Sequence, residues 1–520
     1  MHDFLILLKN NYNLLLGRVF GKKQRVSTVV ATALLVLGVL GVLAIYTLQA
    51  YSMFSGLGAL HLEKVCIFHA IITTLTVLVI IGIMRSSANQ KTNDSDFLLS
   101  LPLKKGAIIA SKTLNFYIFD CFFAILLFLP YLVLYQIFAG INLQMLILGI
   151  LLILILPLFS VGISHILDFV ISRLFNRFKL GGLLKSFVVI LIFVTIMALM
   201  ITKTFTYGTA SFDSLDAYFA DRPISNYVLQ FLFSPNLGNI LAVMLACILP
   251  FALGMILYSI NYGKTFEQYS SSKTSLAFGD GKSELKMMYK KELYRYATTP
   301  AYLINTLIGA IVMLVLAIFI CVLGTDGIVL QLGLSGVPKV YIVAILAMAL
   351  GAMSATAPIS ASSVSLEGKQ FWILKSMPIN EKIVLLSKAL VHISIIQPCI
   401  IVACTLISIS LRLNFMQILM LFTLPTLVNL IVVFGGLLLN LWQANFDFDN
   451  ETKVVKQSLP VLLCMIFGML LAIMPYGIYK LLPTFTAYQV FAVSAGILGA
   501  VLGTLVALVF TVGVKMFRKL

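Results

Sequence analysis

Long apolar runs alternate with short polar segments along the whole chain. Twelve of these runs reach about 20 residues, the length at which a helix crosses a hydrocarbon core of about 30 Å. The alternating segments of about 10 residues that mark a membrane barrel are absent. The pattern places six spans near 29–51, 65–84, 113–138, 142–167, 186–206 and 237–262. Six more fall near 302–323, 339–358, 387–410, 415–441, 459–479 and 488–514. An amphipathic stretch precedes each set. In 4–20, Leu5, Leu8, Tyr12, Leu15 and Val19 recur at helical spacing, and Lys22, Lys23 and Arg25 follow. Before span seven, Leu285, Met288, Tyr289, Leu293 and Tyr296 form an apolar stripe beside Lys282, Lys286, Lys290 and Lys291. Both stretches predict a helix lying along the membrane surface. The expected fold is an all-α polytopic membrane protein with about 12 transmembrane helices. They form two pseudo-symmetric six-helix bundles, each preceded by an amphipathic interfacial helix. The expected divisions are 1–262, a linker with the second amphipathic helix at 263–301, and 302–520.

A polar hinge between spans two and three, DFLLSLPLKKGAIIASKTL at 96–114, returns between spans eight and nine as WILKSMPINEKIVLLSKAL at 372–390. At a constant offset, Leu98, Ser100 and Pro102 fall on Leu374, Ser376 and Pro378, and Ser111, Lys112 and Leu114 on Ser387, Lys388 and Leu390. Each copy reads as a short amphipathic helix, a proline break, and a helix entering the next span. Asn380 and Glu381 read as an N-cap and first helical residue. The repetition points to one six-span unit, duplicated and fused. A helix pinned between two spans suits a groove in a soluble partner. Leu98, Leu101 and Leu103 in one copy, and Leu374, Met377 and Ile379 in the other, would supply the contact area. The bland alternative is a tight turn resting on lipid.

Composition and charge sharpen this picture. Hydrophobic residues make up 61% of the 520 and charged ones 11%, with a mean hydropathy of +1.06. No soluble domain of this length carries so much apolar surface. A net charge of +17 would suggest nucleic acid in a soluble protein. Here 30 of the 36 Lys and Arg fall in the alternate segments assigned inward. That bias orients the chain with both termini and both hinges in the cytoplasm, and it removes the case for nucleic acid. Residues 1–28 are polar and basic for too long to be a cleavable signal peptide. All seven cysteines lie in apolar runs without a CxxC pair, as small core hydrophobes do.

Few groups within the spans can carry chemistry. Asp120 lies inside span three, and a carboxylate in a bilayer is a candidate functional group. It is either a proton or substrate site, or the partner of a Tyr or Ser on a neighbouring helix. Asp168 sits at the inner end of span four. His165 and His392 are isolated, with no metal-ligand spacing. The prolines within the runs, Pro130, Pro157, Pro250, Pro358, Pro398 and Pro425, predict kinks without individual roles. Residues 207–236 form an aromatic and acidic outer segment with Tyr207, Phe212, Asp213, Asp216, Tyr218, Phe219 and Asp221. The mixed-charge FDFDNETKVVK at 446–456 reads either as a second partner contact or as a solvated loop. A phosphate-binding loop is missing: Gly263-Lys264-Thr265 is the nearest match, but Tyr258 stands where the earlier glycine is needed and a span precedes it.

The D-x-L-L-x-L-P-L pattern with its basic pair and following Ser-Lys resembles the cytoplasmic segment after span two of type 2 ABC export permeases. The second copy resembles the same segment in fused, double-length members. The layout matches along the whole chain, the motif over about 20 residues per half. The resemblance implies a coupling helix seated on an ATPase. That role would fall to Leu98, Ser100, Leu101, Pro102 and Leu103, and to Leu374, Ser376, Met377, Pro378 and Ile379. It implies a bacterial plasma membrane and a separate cytoplasmic ABC ATPase, two copies under the two hinges, holding ATP and Mg. This chain would have no catalytic residue, cofactor or metal of its own. Its spans hold little charge, which favours a small apolar or amphipathic substrate. The alternative is a twelve-span proton-coupled secondary transporter using Asp120. An embedded enzyme would need convergent His, Asp or Glu at one depth, and the sequence offers none.

Overall fold

The computed structural model describes residues 26–58, 63–88, 104–175, 223–262, 283–331, 337–448, 451–456 and 458–520, and all regular structure among them is helical. The chain divides into two compact units. The first holds α1 (Val26–Gly58), α2 (Glu63–Ala88), α3 (Lys105–Phe138), α4 (Leu143–Phe175), α5 (Pro223–Phe233) and α6 (Leu237–Tyr262). The second holds α7 (Glu284–Thr298), α8 (Pro300–Gln331), α9 (Lys339–Ala355), α10 (Phe371–Ser376), α11 (Glu381–Ser410), α12 (Phe415–Trp442), α13 (Glu451–Lys456), α14 (Leu459–Leu481), α15 (Ala487–Leu508) and α16 (Val514–Lys519). Among the described residues, 11 helices are long and apolar enough to cross a membrane. They coincide with eleven of the twelve expected spans. The twelfth, 186–206, lies outside the described residues, as do the 4–20 helix and the first hinge with Leu98, Ser100, Leu101, Pro102 and Leu103.

As expected, the helix after each proline break begins before the apolar run it enters, α3 at Lys105 and α11 at Glu381, so the polar Ser-Lys pairs lie within helix. Ser111 and Ser387 satisfy their hydroxyls on the carbonyls of Ile108 (2.9 Å) and Val384 (2.7 Å). Asn380 is the N-cap of α11, its side chain accepting from the Lys382 N–H at 2.9 Å. The outer segment is not wholly irregular, since α5 occupies 223–233. It contributes Phe231 and Leu232 to the core of the first unit, against Phe54, Ile67, Phe128, Tyr131 and Met145. The seven aromatic and acidic residues singled out there lie outside the described residues.

The two units repeat one packing scheme internally. The fourth span is the hub of each: α4 packs on α2, α3 and α6, and α12 packs on α9, α11 and α15. The first span of each lies against the third, α1 on α3 and α8 on α11. In the first unit α4 and α6 approach closely enough that a Cβ on Gly254 would stand 2.5 Å from the Gly162 carbonyl oxygen. Such backbone proximity is how helices gain dispersion energy where lipid removes the hydrophobic drive. The outer faces stay apolar: Ile118, Phe122, Ile125, Leu129 and Val133 form an exposed stripe along α3. Water would penalise that stripe, whereas acyl chains would not.

The second unit carries one feature that hydropathy did not reveal. After α9 ends, residues 357–365 run as a buried, largely non-helical segment, with 3-10 turns at Ile359–Ala361 and Ser365–Gln370. Such backbone is tolerated away from water only where protein groups satisfy it. Tyr302 donates to the Ile359 carbonyl at 2.6 Å. The Ser360 N–H donates to His392 Nδ1 at 3.3 Å. Asn440 accepts from the Val364 and Ser365 N–H groups at 2.8 and 3.1 Å.

Candidate functional site

The site is the hinge end of the second unit, where this buried segment leads into α10. The stripe of α7 is apolar at Met288 and Tyr296, but Glu292 sits between them at the same four-residue spacing and is buried. A carboxylate there needs cations. Lys388, the lysine of the repeated Ser-Lys motif and about two turns into α11, is 1% exposed. Its Nζ lies 3.0 Å from Glu292 Oε1, 2.8 Å from Glu367 Oε1 and 2.9 Å from the Ser363 carbonyl oxygen. Arg295 closes the ring. It pairs with Glu292, approaches Glu367 at 2.7 Å and donates to the Ser363 carbonyl at 3.2 Å. Lys291 reaches Glu367 at 3.1 Å from the more open side.

Three cations and two carboxylates therefore join α7, the segment after α9, and α11. Lys388, Arg295 and Lys291 surround the Glu367 carboxylate and offset the cost of burying it. Burial would likewise weaken the Arg295 charge, and Glu292 and Glu367 restore it, so its pKa lies above the ordinary arginine value. The network offsets the charges that apolar surroundings would otherwise leave costly, although the buried Arg295 Nε has no hydrogen-bond partner within it. Tyr289 adds a hydrogen bond from α7 to Ser394 at 2.9 Å, and Tyr296 another to Thr306 at 3.0 Å.

The hinge is built on this platform. Gly368 turns the chain at φ 57°, a left-handed conformation that a side chain would strain. α10 then buries Phe371 and Leu374 against Val433, Leu437, Leu441 and Phe517. Phe371 stacks on Phe446 with ring centroids 4.5 Å apart and meets Phe517 edge-on at 5.3 Å. The FDFD stretch is thus not simply a solvated loop, since Phe446 wedges under the hinge. Glu381 pairs with Arg518 at 2.8 Å, and Lys375 donates to the Arg518 carbonyl at 3.1 Å, so α16 braces the same turn.

The expected contact face needs one correction. Leu374 is 4% exposed and faces the core, so it offers no contact area. Ile379 is half-buried against the same cluster. Ser376, Met377 and Pro378 are exposed, together with Trp372 (67%) and Ile373. Trp372, the largest residue of the face, was missed because its copy-one counterpart, Asp96, is polar. Glu292, Glu367 and Arg295 were missed as well. Their signal was a carboxylate inside an apolar stripe and a buried-length Ser-rich run ending in Glu.

The remaining candidates lie elsewhere. Asp120 is buried in α3, with the Ser160 hydroxyl 3.1 Å from Oδ2 and 2.7 Å from the Leu78 carbonyl oxygen. It thus ties α3 to α4 and α2. Asp168, at the inner end of the fourth span, is buried. His165 lies 3.3 Å from Thr113 Oγ1 and stacks on Tyr258 at 4.2 Å. The Gly263-Lys264-Thr265 stretch lies outside the described residues.

Comparison with known proteins adds one finding. A family model described as a membrane protein of 12 TMs matches residues 28–513. No curated protein and no solved structure matches.

Proposed function

The chain belongs to the family of membrane proteins of 12 TMs, and from that premise we propose that it is the membrane-spanning permease subunit of an ATP-binding-cassette exporter. The observation that carries the reading is the second hinge. It offers an exposed apolar face of Trp372, Ile373, Met377 and Pro378. Beneath that face, a buried ion network, one stacked and one edge-on ring contact and an apolar cluster tie it to α7, α11, α12 and α16. An apolar turn that only rests on lipid needs no such brace. A lever does, because a push on its face must reach α11 without being absorbed in the turn.

In this reading the hinges face the cytoplasm, each on a separate ATPase, and ATP and Mg bind there. The permease contributes no covalent chemistry. ATP-driven closure of the partners favours one of two arrangements of the spans, and the transported molecule is released because its affinity differs between them. The substrate class is apolar or amphipathic, since the described spans carry few charges to pair with a polar solute. The competing reading, a proton-coupled transporter, makes Asp120 essential.

The test is affinity purification from native membranes through an N-terminal tag, with ATPases identified by mass spectrometry. Co-purification of an ATPase carrying a phosphate-binding loop is expected. Leu101→Asp combined with Trp372→Asp and Met377→Asp, which alters both hinges, should abolish it while the thermal midpoint of the permease stays unchanged. Retained ATPase in that variant, or loss of transport in Asp120→Asn with no ATPase in the native complex, would overturn the proposal.

A further inference from the structure

The opposite end of the second unit holds a cavity of about 180 Å³ among α9, α12, α14 and α15. Tyr341, Met348, Leu424, Tyr476, Tyr479 and Phe491 line it. An apolar cavity of this size stays dry and accepts hydrocarbon instead. The rim is basic. Lys480 follows Tyr479 directly, with its Nζ over the Tyr476 ring at 5.8 Å. Lys339 stands two residues before Tyr341 and donates to the Arg412 carbonyl at 3.3 Å. An ammonium has three donors, so this bond does not exhaust it. Arg412 itself is held at φ 47°, uncommon for a residue with a side chain, and is exposed beside Lys339. The stretches 337–348, 405–424 and 477–491, which surround the cavity, contain no Asp or Glu.

A dry hydrocarbon-sized slot below a basic rim matches a molecule with an apolar tail and an anionic head. We propose that this end of the second unit is a binding site for an anionic phospholipid, one acyl chain in the cavity and the phosphate on Lys339 and Lys480. The two exposed tyrosines, Tyr476 and Tyr479, occupy the depth at which aromatic rings settle between chain and headgroup. The tail gives affinity, and the lysines give the choice of head, because a zwitterionic lipid gains little from a purely cationic rim. The site does not depend on any ATPase.

The experiment places the full chain in bilayers of equal phosphatidylglycerol and phosphatidylcholine with identical chains, followed by mild extraction and native mass spectrometry. Retention of one phosphatidylglycerol with roughly tenfold or greater preference is expected. Lys339→Gln with Lys480→Gln should bring the two lipids to parity, and Ala344→Phe, which fills the cavity, should remove both. The proposal fails if the wild type shows no preference or the preference survives the double variant. It fails as well if a monodisperse Ala344→Phe protein retains its lipid. Both lysines sit at the rim outside the core, so the charge arm stands even where Ala344→Phe does not fold. Soluble glycerol 3-phosphate should not displace the lipid; displacement would assign the rim to a free anion and overturn the acyl-chain site.

Discussion

Lys388 shows how much one side chain can organise. Its ammonium has no water to solvate it, and it lies within 3.0 Å of two carboxylates and one carbonyl. Removing one partner of a buried ionic group costs about 3–5 kcal/mol, because the charges left behind stay buried. Lys388→Met should therefore lower the thermal midpoint of the purified protein strongly, whereas Lys375→Met, at an exposed site, should change the stability by under about 0.5 kcal/mol and leave the midpoint almost unmoved. Leu374 teaches the opposite lesson: apolar character in a hinge does not say whether the residue faces a partner or the core.

At the scale of elements, α7 and α10 are too short to be stable alone. α7 gains its place by laying Met288, Glu292 and Tyr296 on the unit, and α10 by burying Phe371 and Leu374. What links them is the buried segment after α9, whose backbone is satisfied by Tyr302, His392 and Asn440. Gly368 ends that segment with a left-handed turn. Gly368→Ala should cost about 1–2 kcal/mol through backbone strain. The Cβ itself would meet Phe448 at an ordinary 3.4 Å, so the loss measured by thermal unfolding reports conformation and not a clash. The α10 face should tilt with the turn, so the same variant should weaken ATPase recovery beyond its effect on stability. A change confined to stability would detach Gly368 from the lever.

At the scale of the molecule, the same hub arrangement recurs within each unit, with the fourth span against the second, third and sixth. Orientation is the property of the whole chain that remains to be measured. With the seven native cysteines replaced, Lys375→Cys should react with a membrane-impermeant maleimide only from the cytoplasmic side, and Lys480→Cys only from outside. The reversed pattern, Lys375→Cys labelled from outside and Lys480→Cys from the cytoplasm, would end the lever proposal and move the phospholipid site to the other leaflet.

The order of apolar runs, their lengths and the repeated hinge motif were all readable along the chain, because each depends on local periodicity and on the thickness of a bilayer. The N-cap at Asn380 was readable for the same reason: a cap is a matter of neighbours in sequence. The ion network was not. Its members come from 291–295, 363–367 and 388, and nothing local marks Glu292 as the partner of Lys388 until α7 lies along α11. The inward turn of Leu374, the wedge of Phe446 and the basic-rimmed cavity likewise depend on which faces meet. Burial in lipid is written into composition, whereas the pairing of polar groups within it is decided only when distant segments pack.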